Sequence, residues 1–434
     1  MDPVIIGVFG LMAMVFLIMI RIPIGCAMAL VGLAGFSILS SPYAAFSMLG
    51  MVTYQTVSSY ALTVIPLFFL MGQLASQSGM GIELYRTVHH WIGFMPGGLA
   101  MATVCACAGF AAVSGSSLAT AATVGMVALP EMKRFRYDDA LATGCVAAGG
   151  TLGILIPPST VMVIYAILTE QPIGTLFVAG IIPGIILTGL FLLAIFIQTR
   201  KKPDMGPPGP KFSFAEKLES LKGTGSVIIT FALVVGGLYG GWFTPTEAAA
   251  FGALIVLVII FAKRKFTREL LTGSLTETAL TTAMIFTILI GANIFGYFMT
   301  LSDLPATFSG WVTGTGMNRY LTMFIICLVY IFLGCIMEGF AIMFLTLPIV
   351  FPMVMGMGFD PIWFGVLMTL LIEMGLITPP VGMNVYVISG VAKDVPMSTI
   401  FRGIFPFFIA MLVCVVLLFL FPQLALFLPA TMAD

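Results

Sequence analysis

The residues best placed to do chemistry are the hydroxyls and small side chains of Ser114-Gly115-Ser116-Ser117-Leu118-Ala119-Thr120-Ala121-Ala122-Thr123, set inside a long apolar run. Small polar residues belong at bilayer depth only where they pack against protein or line a cavity. At the tip of a hairpin they would add oxygens to the unpaired N–H and C=O groups of two helix ends. N-terminal ends favour anions and C-terminal ends favour cations, so such a tip suits ion and carboxylate binding. Two further stretches share this potential. Gly149-Gly150-Thr151-Leu152-Gly153-Ile154-Leu155-Ile156-Pro157-Pro158-Ser159 and Gly375-Leu376-Ile377-Thr378-Pro379-Pro380-Val381-Gly382-Met383-Asn384 each break a helix with paired prolines. The breaks free backbone carbonyls for a small hard cation such as Na+. Glu338 and Glu373 lie in apolar runs, where a carboxyl suggests ion or proton work. The competing readings are small-residue helix packing at the tip, simple kinks at the prolines and a hydrogen-bonded structural carboxyl.

Positioning these groups falls to a chain of 434 residues that is 60% hydrophobic and 8% charged, with mean hydropathy +1.14. A soluble protein carries roughly 25% charged residues. Apolar runs of about 20 residues recur from end to end, which predicts an all-α polytopic membrane protein. A transmembrane barrel would instead show short alternating segments. Spans are expected at 4–20, 24–39, 61–75, 174–198, 227–239, 245–262, 275–300 and 404–428, with a short helix at 42–60. A loop is expected around Glu83, Arg86, His89 and His90, and the main hydrophilic loop at 200–222 ends in an amphipathic stretch. Residues 91–130 have basic residues on both sides, too long for one span and about right for two short helices that turn back. This predicts a re-entrant hairpin, followed by a broken helix at 140–168. A second hairpin is expected at 321–357, with Met337-Glu338-Gly339-Phe340 at its middle, and a second broken helix at 362–391. The seven cysteines read as small packing residues, and the two histidines as interfacial side chains.

The halves repeat at an offset of 222 residues. Pro23 pairs with Pro245, Ala119 with Ala341, Pro130 with Pro352 and Asp138 with Asp360; Gly153, Pro157 and Pro158 pair with Gly375, Pro379 and Pro380. Glu338 stands opposite Ser116 and Glu373 opposite Thr151, while Asn384 stands opposite Met162. The expected organisation is a first repeat at 1–199, a cytoplasmic linker at 200–222 and a second repeat at 223–434. With both termini outside and both hairpins returning to their side of entry, every Lys and Arg except Arg319 falls inside. The repeats are then inverted, the architecture of secondary transporters with midplane sites at broken helices. No Gly-Lys-Ser/Thr nucleotide loop occurs, so the energy for transport is expected from an ion gradient; neither an enzyme nor a nucleic-acid partner is indicated. A channel would show a continuous polar stripe, whereas the polar residues here gather at two breaks.

The whole chain resembles the large membrane subunit of tripartite ATP-independent periplasmic (TRAP) transporters, the DctM-like family. The resemblance rests on Ser114-Gly115-Ser116-Ser117 with Ala119-Thr120-Ala121, Pro130-Glu131-Met132, the first Pro-Pro break, Thr244-Pro245-Thr246-Glu247-Ala248 and Thr378-Pro379-Pro380-Val381-Gly382-Met383-Asn384. It implies a bacterial inner-membrane importer coupled to Na+ and working by an elevator motion; the charge distribution then puts both termini in the periplasm. It also implies a small four-helix membrane subunit, absent from this chain, and a periplasmic substrate-binding protein as partners. Family substrates are mostly organic acids: C4-dicarboxylates, sialic acid, sugar acids and 2-oxoacids. The resemblance carries sodium and substrate binding to Ser114, Gly115, Ser116, Ser117, Gly153, Pro157, Glu338, Gly339, Thr378, Pro379 and Asn384. The repeat adds Thr151 and Glu373, and Na+ itself is expected near Ser116, Gly153, Gly339 and Thr378, with no other cofactor. The alternative is a carboxylate transporter or ion/proton exchanger that needs no binding protein and uses Glu338 or Glu373 as proton carrier.

Overall fold

Glycine, proline and capping residues cut the apolar chain into helices in the computed structural model, which describes residues 2–314 and 317–432. The first half holds α1 (Pro3–Met19), α2 (Ile24–Leu39), α3 (Pro42–Val57), α4 (Val64–Gln77) and α5 (Met80–Ile92). It continues with α6 (Gly98–Ser114), α7 (Ser117–Arg134), α8 (Asp139–Leu155), α9 (Thr160–Thr169) and α10 (Ile173–Lys201). The second half holds α11 (Phe214–Tyr239), α12 (Pro245–Ala262), α13 (Arg268–Leu301), α14 (Leu304–Gly314) and α15 (Arg319–Gly334). After these come α16 (Gly339–Gly356), α17 (Pro361–Leu376), α18 (Met383–Val391), α19 (Met397–Leu420) and α20 (Gln423–Leu426). Among the described residues, 8 helical segments are long and apolar enough to cross a membrane, so the chain is a multi-pass membrane protein.

Two expectations change. The loop around Glu83 is the helix α5, started by Gly79 in the left-handed region (φ 78°). Its apolar side buries Met80, Leu84 and Tyr85, a helical spacing hidden by the charged residues between them. The amphipathic end of the hydrophilic loop is also continuous with the next span: α11 begins at a capping box in which Ser213 and Glu216 bond each other's backbone N–H.

One compact unit comprises the described residues of Met1–Thr63, Ala279–Val329 and Phe340–Pro361. Within it α2 meets α13 along a glycine stripe. A Cβ on Gly32 would stand 2.8 Å from the Phe295 backbone, and one on Gly25 would stand 2.7 Å from the Thr287 carbonyl. Asn293 also donates to the Thr56 hydroxyl at 3.1 Å.

The other unit comprises the described residues of Val64–Thr278, Tyr330–Gly339 and Ile362–Asp434, and it holds both hairpin tips and both helix breaks. At the end of this unit that carries its basic residues, Glu83 on α5 accepts from both Lys263 and Lys265. Partial burial raises the Glu83 pKa, but the two lysines outweigh it and hold the carboxyl below its ordinary value. A depressed folded-state pKa stabilises the fold above the unfolded value, about 4.3, and that contribution disappears as pH falls through the lower folded value. Glu83→Gln is therefore expected to lower the thermal midpoint at neutral pH and to remove an acid-side loss below about pH 4. Thermal unfolding in detergent across pH reads both effects; an unchanged neutral midpoint would mean that the triad contributes nothing.

Candidate functional site

The first tip forms because Gly115 adopts a left-handed conformation (φ 62°) that closes α6, while Ser116 opens α7 by accepting from the Ala119 N–H at 3.3 Å. The tip is tied together by the Ser114 and Thr120 hydroxyls, 2.7 Å apart. The first break runs between α8 and α9: Ile156 turns extended, Pro157-Pro158 is cis, and Ser159 caps α9. Tip and break are in direct contact. Thr160 donates its hydroxyl to the Gly115 carbonyl at 3.0 Å. A Cβ on Gly153 would stand 2.5 Å from the Ser116 carbonyl oxygen, and one on Gly115 would stand 2.8 Å from the Pro158 oxygen. The C-terminal ends of α6 and α8 thus meet the N-terminal ends of α7 and α9. Carbonyl ends that suit a cation and amide ends that suit a carboxylate lie side by side.

The second tip and break repeat this arrangement with different chemistry. Gly334 at the end of α15 and Gly375 on α17 approach backbone to backbone. The Val381 N–H in the break donates to the Cys335 carbonyl in the tip at 3.3 Å. Gly339 packs so near Ile372 that a Cβ would stand 2.8 Å from its side chain. Pro379-Pro380 is cis, and Gly382 (φ 61°) starts α18. Pro157 is buried, whereas Pro379 is exposed and Thr378 half-buried. Glu338 is half-buried at the second tip.

The first tip and the second broken helix face each other through buried polar side chains. Glu373 is 1% exposed, and neither of its carboxyl oxygens has a hydrogen-bond partner. The polar group facing it is the Ser117 hydroxyl, also buried and also without a partner within bonding distance. Asn384, fully buried, donates to the Ala147 carbonyl on α8 at 3.3 Å and leaves its own carbonyl oxygen unpaired. Ala147 lies one turn from Gly150, whose Cβ would stand 3.1 Å from the Ser117 carbonyl, so Asn384 and Ser117 flank one face of α8. Buried polar atoms are nearly always bonded, so these unpaired oxygens are exceptions.

The sequence-derived residues therefore divide. Ser114, Gly115, Ser116, Ser117, Gly153 and Pro157 form one contact set, with Glu373 and Asn384 against its edge. Gly339 packs against Ile372 on α17, ahead of the second break, with Glu338 preceding it in the chain. The hydroxyls of Thr151 and Thr378 donate to their own helices, to Ala148 and Met374, and present only lone pairs elsewhere. Sequence reasoning missed Thr160 and Gly72, the latter of which would place a Cβ 2.5 Å from the Ser114 carbonyl. Thr160 follows the Pro-Pro break directly, the one signal that marked it.

Residues 11–424 match the family model described as "Tripartite ATP-independent periplasmic transporter, DctM component". The C4-dicarboxylate TRAP transporter large permease protein DctM of Pseudomonas aeruginosa is 37% identical over 377 residues, 87% of this chain and 88% of its own. The sialic acid TRAP transporter large permease protein SiaM of Vibrio cholerae is 32% identical over 427 residues, 98% of this chain and 97% of its own. The solved structure of the YdaH transporter of Alcanivorax borkumensis covers 97% of this chain and 98% of its own with a TM-score of 0.67 at 13% identity, a likeness of fold alone.

Proposed function

The chain belongs to the DctM family, the large permease component of tripartite ATP-independent periplasmic transporters, and we propose from that premise that it drives Na+-coupled uptake of a small organic acid. As a transporter permease it is not an enzyme. The observation that carries the reading is the contact between the first tip and the first break. Carbonyl ends and hydroxyls there offer Na+ a set of hard oxygens around Ser116 and Gly153, and the amide ends beside them suit a substrate carboxylate. Gly339 and Thr378 supply the second site of this kind. Pro157 and Pro379 open the backbone at the two breaks. Ser114, Gly115, Ser117, Thr151, Glu338, Glu373 and Asn384 complete the oxygen-rich surroundings.

The 222-residue offset supports two inverted repeats, 1–199 and 223–434, joined by the linker at 200–222. Both tips and both breaks fall in a single compact unit, which supports an elevator motion of the site. The charge distribution supports a bacterial inner-membrane location with both termini periplasmic. The partners are a small four-helix membrane subunit and a periplasmic binding protein. Relatives of similar identity are named for a C4-dicarboxylate and for sialic acid, so selectivity within organic acids is assigned to the binding protein and the side chains around the tips.

In proteoliposomes, uptake is expected only with external Na+, the small subunit and the cognate binding protein together. Equal uptake with K+ replacing Na+ at a maintained membrane potential would overturn the coupling. Uptake by the purified chain alone would instead favour an exchanger that needs no binding protein.

A further inference from the structure

A pocket outside the transport site carries a charge of its own. The turn between α7 and α8 and the C-terminal end of α10 border an open recess of about 420 Å³, lined by Arg136, Asp138, Lys201, Lys202, Asp204 and Met205. Its floor is fixed, because the Asp138 N–H donates to the Met205 carbonyl at 3.0 Å and Gly97 donates to Gly206 at 2.8 Å. Three basic residues of this unit are ion-paired: Lys133 with Asp394 at 2.7 Å, and Lys263 and Lys265 with Glu83. Arg136, Lys201 and Lys202 form no ion pair among the described residues. Of the two acids in the lining, Asp138 spends a carboxylate oxygen on the first amides of α8, at 3.0 and 3.1 Å. With three basic and two acidic side chains in its lining, the pocket is a net cationic recess.

What leads to the pocket selects the ligand. The exposed residues Ile185, Leu193, Phe196 and Ile197 fall on one face of α10, interrupted by Gly189, where a Cβ would meet nothing within 4 Å. This apolar stripe with its notch runs down a membrane-spanning helix to Arg200, whose guanidinium lies 5.8 Å over the Phe196 ring, and then to the cationic recess. A free phosphate has no use for the stripe. A phospholipid does: its acyl chain fits the apolar face and its phosphodiester fits the cations. We propose that this pocket binds the headgroup of an anionic phospholipid whose chain lies along the α10 stripe. The site is separate from the transport reading and does not depend on it.

Each basic residue near a membrane surface contributes about a fivefold factor in binding an anionic lipid, so removing three should weaken it by about a hundredfold. The full chain, purified in neutral detergent, is titrated with phosphatidylglycerol and with phosphatidylcholine, and read by lipid retained in native mass spectrometry and by thermal midpoint. Phosphatidylglycerol should be retained and should raise the midpoint; phosphatidylcholine should do neither. Combined Arg136→Gln, Lys201→Gln and Lys202→Gln should abolish the retention, whereas Lys211→Gln with Lys222→Gln, exposed and outside the pocket, should preserve it. Gly189→Phe should weaken retention with every cation in place. Equal retention by the triple variant, equal loss in the Lys211/Lys222 control, or full stabilisation by inorganic phosphate alone would each overturn the proposal.

Discussion

Gly153→Leu is expected to reduce uptake by about a hundredfold or more while the protein still inserts in the membrane. The first added carbon already meets the Ser116 carbonyl oxygen at 2.5 Å, the Ser116 carbonyl carbon at 2.8 Å and the Thr120 hydroxyl at 2.8 Å. None of these can yield cheaply. Ser116 is held as the cap of α7, the Thr120 hydroxyl is engaged by Ser114, and the Gly115 carbonyl one residue earlier is held by Thr160. The side chain must therefore push the tip off the break, and overpacking of this kind costs about 1–3 kcal/mol for one or two methylenes and more for a leucine. Gly153→Ala should fall by about tenfold by the same argument. Gly236→Ala on α11, where a Cβ meets nothing within 4 Å, is the matched control and should transport normally. Wild-type uptake by Gly153→Leu at equal expression would remove the tip-to-break contact from the transport site.

The legibility of this site follows the range of its interactions. Ser116, Gly153 and the prolines stood out because small and helix-breaking residues are conspicuous in an apolar run, and the hairpin lengths followed from arithmetic on helix rise. Which groups meet was another matter. The Thr160 bond to Gly115 spans 45 residues and the Asn384 bond to Ala147 spans 237. No local pattern records such pairings. Gly72 and Gly334 were hidden by abundance: among 47 glycines, one that admits a neighbouring backbone looks like any other. The Glu83 triad was hidden in the same way, its acid and its lysines lying on opposite sides of the linker. By contrast, the α11 start was readable, since Ser213-Phe214-Ala215-Glu216 is a capping-box pattern ahead of an apolar run.

Glu373→Gln is expected to abolish Na+-dependent uptake without unfolding the protein. The substitution keeps the shape of the side chain and removes only its ability to carry charge, so it separates a packing role from an ionic one. An ionised carboxyl buried this deeply is tolerated only with a compensating charge. Among the described residues no lysine, arginine or histidine forms an ion pair with Glu373, and its two oxygens, the Ser117 hydroxyl and the Asn384 carbonyl oxygen are all unpaired. On the coupling proposed above, a cation would satisfy them, and hard oxygens suit Na+. Losing one member of a buried charge pair costs about 2–5 kcal/mol, so uptake should drop by at least about thirtyfold. A second measurement guards against a merely structural effect. Na+ at a hundred times its dissociation constant should stabilise the wild-type chain by about 2.7 kcal/mol, and that increment should vanish in Glu373→Gln. In Na+-free buffer the variant should be about as stable as wild type, because the amide matches the side chain in shape and adds no charge to bury. Glu373→Asp, which keeps the charge but withdraws it by one methylene, should retain part of the Na+ response. Should Glu373→Gln take up substrate with an unchanged Na+ dependence, the carboxyl is a structural group and the coupling ion is held by the backbone carbonyls of the two breaks alone.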